Sequence, residues 1–175
     1  NIQASLSKAP DLPEHSSRWR ITGLAPDQPT YRLLIVEDNW ENSLLLVKLL
    51  SSLGFEVKEA KNGLEAIALW ESWNPDLILM DMRMPVMNGY EATQRIKATA
   101  KGQATVIIAV TSSAFEEDRS EILSIGCDDF VRKPFQEEII FAKLAEHLGV
   151  RYLYQQNNPQ PIASKPPTEP ANLDW

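Results

Sequence analysis

Residues 32–39 read RLLIVEDN, and this stretch decides how the rest of the chain is read. Leu33, Leu34, Ile35 and Val36 make a near-continuous apolar run, which is what a strand covered on both faces requires. The run stops at two carboxylates, Glu37 and Asp38. Asn39 can then cap a helix over residues 40–53, in which Leu46, Leu50 and Leu53 recur at i, i+4 and i+7. Gly54 is placed to end that helix.

The same alternation repeats outward from there. Residues 56–60 form a short second strand, and Asn62 caps a helix that runs to about Trp73, where Pro75 stops the pattern. A third buried strand follows at 77–80 and a helix at 89–98. TVIIAV (105–110) is the fourth strand, and a helix over 116–125 closes at Gly126. Residues 129–132 are the fifth strand. The last helix, 136–148, carries Ile140, Leu144 and Leu148 on one face. Five strands, each followed by a helix, predict an α/β fold: a parallel sheet with helices on both faces. Ligands of such sheets sit at the carboxyl ends of the strands.

The chain has 175 residues, 43% of them apolar, enough for one compact domain with extensions. Nine of its 12 prolines lie outside residues 31–149. That distribution divides it into an N-terminal linker (1–30), a folded unit (31–149) and a Pro-rich, flexible tail (150–175). Trp19 and Ile21 are an apolar patch within the linker, and Trp175 is read as a boundary residue. A net charge of −7 and the lack of a Lys/Arg cluster argue against nucleic acid as a partner. The single cysteine, Cys127, excludes an internal disulfide and a multi-cysteine zinc site, and reads as a small buried residue. No apolar run reaches the ~18 residues of a membrane span, and residues 1–30 hold no signal-peptide core, so a cytoplasmic fragment without membrane contact is expected. The first residue is Asn1 rather than Met, which suggests a piece of a longer protein, one that a membrane anchor elsewhere could tether.

The strand ends carry the chemistry. The first predicted strand ends in Glu37-Asp38, the third in Asp81, the fourth in Thr111 and the fifth in Lys133-Pro134. Asp38, Asp81, Thr111 and Lys133 follow one another at intervals of 43, 30 and 22 residues. Taken singly, each has an ordinary explanation: a helix cap, a turn former, another cap, a surface lysine. Four of them, each at the end of its own strand, are hard to read as coincidence. Three carboxylates brought together repel and call for a cation, and an all-oxygen set favours Mg²⁺, with Mn²⁺ able to substitute. Lys133 offers a positive charge and Thr111 a hydroxyl for phosphate oxygens. A metal-held carboxylate can act as the nucleophile and form an aspartyl phosphate.

The motifs LLIVEDN (33–39), LILMDMRMPVMNGYEA (77–92), IIAVTSSA (107–114) and DDFVRKPF (128–135) together resemble the receiver domain of two-component response regulators over residues 31–149. That resemblance implies a flavodoxin-like (βα)5 sandwich with sheet order 2-1-3-4-5. It implies Asp81 as phosphoacceptor, aided by Thr111 and Lys133. It also implies a metal held by Asp38, by Asp81, by the backbone carbonyl of Arg83 and, through water, by Glu37. The Lys133–Pro134 peptide is expected to be cis. Thr111 and Phe130 match the switch pair, with Phe130 where many relatives carry Tyr. Arg83 and Ser113 match positions that tune dephosphorylation. The domain would catalyse its own phosphorylation and dephosphorylation.

The lead-in RWRITGLAPDQPTYRLLIVEDN (18–39) is similar to receivers fused behind the core of hybrid sensor histidine kinases, cyanobacterial ones among them. The expected partners are a phosphohistidine-bearing kinase dimerisation domain, a histidine phosphotransfer protein or another regulator. His15 and His147 lack a kinase-like context. Alternatives are a free-standing single-domain regulator and a protein-binding receiver that is never phosphorylated. A haloacid-dehalogenase-type phosphatase needs a second Asp where Arg83 stands. An FMN binder needs a phosphate loop where Glu37-Asp38-Asn39 would repel the phosphate.

Overall fold

A computed structural model describes residues 19–112 and 116–156. In chain order the elements are β1 (Trp19–Leu24), β2 (Arg32–Val36), α1 (Trp40–Leu53), β3 (Glu56–Ala60), α2 (Gly63–Trp73), β4 (Leu77–Asp81), α3 (Gly89–Lys97), α4 (Ala100–Gln103), β5 (Val106–Thr111), α5 (Glu116–Ser124), β6 (Asp129–Arg132), α6 (Glu137–Leu148) and β7 (Tyr152–Gln156). Two compact units divide the described residues, one from Pro26 to Arg151 and one containing β1 and β7.

The larger unit is a five-stranded sheet in the order β3-β2-β4-β5-β6, with every neighbouring pair parallel. Counted from β2, this is the expected order 2-1-3-4-5. The apolar run of β2 explains its central position: Leu33, Leu34, Ile35 and Val36 are each no more than 1% exposed. Alternation along the strands separates two faces. Leu34, Val36, Ile78, Met80, Ile107 and Ala109 share one cluster with Ala66 and Trp70 of α2, Ala92 and Ile96 of α3, and Ile122 of α5. Leu46 and Leu50 of α1 and Ile140 and Leu144 of α6 are also buried but lie outside that cluster, which places those helices over the opposite face. Each fully buried Leu or Ile contributes roughly 1.5–3 kcal/mol.

The helix starts follow from side-chain capping. Asn39, Asn62 and Asn88 each accept a backbone N–H three residues on, at 3.0, 2.9 and 3.0 Å. Gly54 ends α1 at φ 120°, a backbone conformation open to glycine. Strand limits differ from expectation by about one residue: β4 includes Asp81 and β5 runs to Thr111. Thr105, expected in the fourth strand, lies outside it and accepts the Trp70 indole N–H at 3.0 Å. The short α4, capped by Thr99, was not anticipated. Among the described residues, no helix is long and apolar enough to cross a membrane.

The smaller unit was not anticipated either. Residues 19–24 and 152–156 fall in the segments read as linker and flexible tail, yet they pair as an antiparallel ribbon. Proline content hid them, because YLYQQ and WRITGL are short, strand-prone islands in Pro-rich surroundings. His15 and Trp175 lie outside the described residues.

Candidate functional site

The candidate residues arrive at the site by strand length alone. Asp81 is the last residue of β4 and Thr111 the last of β5. Glu37 directly follows β2, and Lys133 directly follows β6. Parallel pairing aligns these ends: β4 and β5 register Asp81 with Val110, and β5 and β6 register Thr111 with Arg132. One further backbone bond, from Lys133 N–H to the Thr111 carbonyl at 2.7 Å, carries the pairing to the lysine. The Lys133–Pro134 peptide is cis, as expected.

Carboxylate oxygens of Glu37, Asp38 and Asp81 lie within 4.8 Å of one another. Glu37 and Asp81 are buried, and Asp38 faces solvent. The Lys133 ammonium sits 3.1 Å from Glu37 Oε1 and 3.5 Å from Asp81 Oδ2. Backbone N–H groups orient the acids: Arg83 donates to Asp81 Oδ1 at 3.1 Å, and Asn39 donates to Glu37 Oε2 at 3.2 Å. Thr111 is buried at 4% exposure.

One lysine against three carboxylates leaves the pocket short of positive charge. Burial, together with repulsion from Glu37, pushes the Asp81 carboxyl up to about 6, against the pull of the Arg83 N–H and Lys133. Burial disfavours the Lys133 ammonium, but Asp81 and Glu37 outweigh it and hold its pKa above the ordinary lysine value. A divalent cation would relieve this repulsion. The donors present are all oxygens, two sheltered and one open to solvent, which is a set that suits Mg²⁺ or Mn²⁺.

The remaining expected positions are more dispersed. Phe130 is half-buried in β6, packs against the core cluster, and has the Arg119 guanidinium 5.0 Å above its ring. The Arg83 side chain is exposed and lines a cavity of about 410 Å³ with Met84, Tyr90 and Glu121. Ser113 lies outside the described residues. Cys127 is buried, as expected, and burial pushes its thiol up to about 11.

Sequence reasoning missed Gly89. The first turn of α3 packs so tightly on the end of β4 that a Cβ at this position would lie 2.3 Å from the Asp81 carbonyl oxygen. The available signal was the Asn88-Gly89 pair eight residues after the acceptor candidate.

A family model described as response regulator receiver domain matches residues 33–145. Hybrid signal transduction histidine kinase G of Dictyostelium discoideum is 42% identical over 108 residues, covering 60% of this chain and 3% of that protein. The chain thus spans only a small part of the hybrid kinases it matches, 7% in the case of histidine kinase B of the same organism. The polar-differentiation response regulator DivK of Brucella anthropi is 35% identical over 117 residues, 67% of this chain and 95% of that protein. Among solved structures, the receiver domain of a Pseudomonas aeruginosa sensor histidine kinase, with magnesium coordinated in its active-site cleft, matches at 36% identity with a TM-score of 0.64. It covers 69% of this chain and 99% of that one. The receiver of a Saccharomyces cerevisiae response regulator, crystallised with a histidine phosphotransfer protein, matches at 32% identity and a TM-score of 0.65, covering 68% and 89%.

Proposed function

The chain belongs to the response regulator receiver family, and from that premise we propose that Asp81 takes a phosphoryl group from a phosphohistidine in a Mg²⁺-dependent step. The observation that carries this reading is the Asp81 carboxylate at the end of β4, with Lys133 at 3.5 Å and the Glu37 and Asp38 oxygens within 4.8 Å.

Asp38, Asp81 and the Arg83 carbonyl would hold the ion, with Glu37 acting through water. When bound, Mg²⁺ supplies charge neutralisation for the carboxylates and the phosphoryl oxygens. The Arg83 N–H and Lys133 favour the ionised form of Asp81, the form that acts as a nucleophile. Its oxygen attacks phosphorus in line with the imidazole nitrogen of the donor. The O–P bond forms as the P–N bond breaks, and the departing nitrogen keeps the electron pair and is reprotonated. Lys133 offsets charge on the phosphoryl oxygens, and the Thr111 hydroxyl donates to one of them. The new group adds about −1.5 to −2 charge. Thr111 and Phe130 then bias a two-state equilibrium of the domain. Arg83 and Ser113 set how readily water reaches the acyl phosphate.

The reading places the domain in a hybrid histidine kinase of the cytoplasm or its membrane. Its phosphodonor is the kinase's own phosphohistidine domain, and its downstream partner is a histidine phosphotransfer protein. The Dictyostelium match supports the kinase context, and the yeast complex supports the partner class. A second reading, a free-standing regulator, is favoured by the match that spans 95% of DivK. The full-length gene product separates the two.

Acetyl phosphate with Mg²⁺ should add one phosphoryl group to the chain by intact mass, beryllofluoride with Mg²⁺ should shift its NMR spectrum, and Asp81→Asn should show neither change. An unmodified wild type, or equal modification of the variant, sinks the proposal. Omitting Mg²⁺ separates the role of the ion from that of Lys133.

A further inference from the structure

The ribbon of β1 and β7 lies outside the receiver sheet and has no part in the chemistry above. Its register pairs Arg20 with Gln155, Ile21 with Tyr154, Gly23 with Leu153 and Leu24 with Tyr152. The step between Ile21 and Gly23 is a bulge, and the Thr22 hydroxyl there donates to the Leu153 carbonyl at 3.4 Å. Leu153 and Tyr154 are 46% and 57% exposed, so burial holds this pairing only weakly. A two-stranded ribbon on its own is marginal in water.

The adjoining residues supply a second tie. The Gln28 side-chain amide donates to the Arg151 carbonyl at 2.8 Å and accepts the Arg151 N–H at 3.0 Å. One side chain thereby exchanges both bonds with a peptide, as a partner residue does across an antiparallel pair. The Arg151 guanidinium adds a bond to the Asp27 carbonyl at 3.2 Å. Residues 27–28 precede β2, and Arg151 precedes β7. The entry and exit of the receiver are therefore joined before the ribbon begins.

We infer that the ribbon is a stem that holds Trp19 and Gln156 side by side, while the Gln28 clamp separately joins the entry and exit of the receiver within its own unit. Register sets this geometry, because Trp19 is the partner of Gln156 and paired strands run about 5 Å apart. Any domain joined to either flank would then be tethered at one point, which would raise its effective concentration around the receiver. The functional meaning rests on the receiver reading: a phosphodonor on one flank and an acceptor on the other would serve Asp81 from a shared attachment.

The test is a cysteine pair in the full chain, Arg20→Cys with Gln155→Cys. Both positions are exposed, and Cα atoms of an antiparallel pair lie within disulfide reach. The control, Arg20→Cys with Leu153→Cys, is out of register by two residues, a diagonal of roughly 7–8 Å. Cys127 is buried and competes poorly for oxidant. Under mild oxidation the in-register pair should close at least about ten times faster than the control. Gln28→Ala should slow that closure and speed amide exchange at Arg151, leaving acetyl phosphate labelling of Asp81 unchanged. Equal closure of both pairs, or no closure in a folded protein, overturns the stem. Closure without labelling of Asp81 overturns the receiver reading and leaves the stem standing.

Discussion

Alanine at Gly89 tests whether the acceptor is positioned by the close approach of α3 to β4. The Gly89 N–H bonds to the Met82 carbonyl at 3.2 Å, which pins the helix start onto the residue after Asp81. An added Cβ would meet the Asp81 carbonyl oxygen at 2.3 Å, Met80 Cγ at 2.9 Å and Met82 Cα at 2.9 Å. Met80 is fully buried in the core cluster, and the other two atoms are backbone. Real Cβ contacts essentially never fall below 3.0 Å, so helix and strand must part by about 0.7 Å. Overpacking of this kind costs about 1–3 kcal/mol, and the rigidity of both neighbours points to the upper half of that range. The same shift moves the Asp81 carboxylate. A misplacement of about 1 Å at a reacting centre costs on the order of 100-fold, so labelling should slow by roughly 10- to 100-fold. Urea denaturation followed by tryptophan fluorescence reads the first effect. Intact-mass labelling with acetyl phosphate, at urea concentrations where the variant is folded, reads the second. A variant with the wild-type midpoint and a labelling rate within two-fold of wild type would refute the argument.

Two further predictions concern groups away from the site. Asp129 accepts from Lys143 at 3.0 Å, from the Phe130 N–H at 2.8 Å, and meets His147 Nε2 at 2.8 Å. Burial raises its pKa, but His147, Lys143 and the Phe130 N–H outweigh it and hold the carboxyl below its ordinary value. A depressed acid stabilises the fold above its unfolded pKa and loses that contribution as pH falls through its folded one. Asp129→Asn should therefore lower the urea midpoint at pH 7 and close the gap to wild type as the pH drops below the ordinary aspartate range. A gap that widens in acid contradicts the sign. Lys97, 8% exposed, donates to the Thr105 carbonyl at 2.6 Å and to Asp128 Oδ2 at 3.0 Å. Because Asp128 stays partly solvated and keeps the Ile107 N–H, Lys97→Met should cost about 1–3 kcal/mol in denaturant unfolding, less than the ~3–5 of a fully buried broken pair.

Much of the sheet was legible because parallel strands covered on both faces must be apolar throughout. RLLIV, LILM and VIIAV admit few other readings, and Asn39, Asn62 and Gly54 mark helix ends by local hydrogen bonding and backbone freedom. The candidate site was legible for a related reason. Polar residues that abruptly follow such runs fall at strand ends, and parallel strands bring their ends together. The ribbon was obscured because its strands lie far apart in sequence and each is too short to signal alone. Gly89 was obscured because its role is the space it leaves, and the neighbour that needs the space comes from another element.

Residue order by itself determined which side chains could meet at the sheet edge: Glu37, Asp38, Asp81, Thr111 and Lys133 each stand at a strand end counted along the chain. Tertiary structure decided how they meet. Burial and the Glu37 carboxylate raise the Asp81 pKa to about 6, and one lysine is shared between two acids at 3.1 and 3.5 Å. Only tertiary structure pairs Trp19–Leu24 with Tyr152–Gln156. Local pattern reports which face of an element is apolar. Desolvation, charge balance and long-range pairing depend on distances that exist only once the chain has closed on itself.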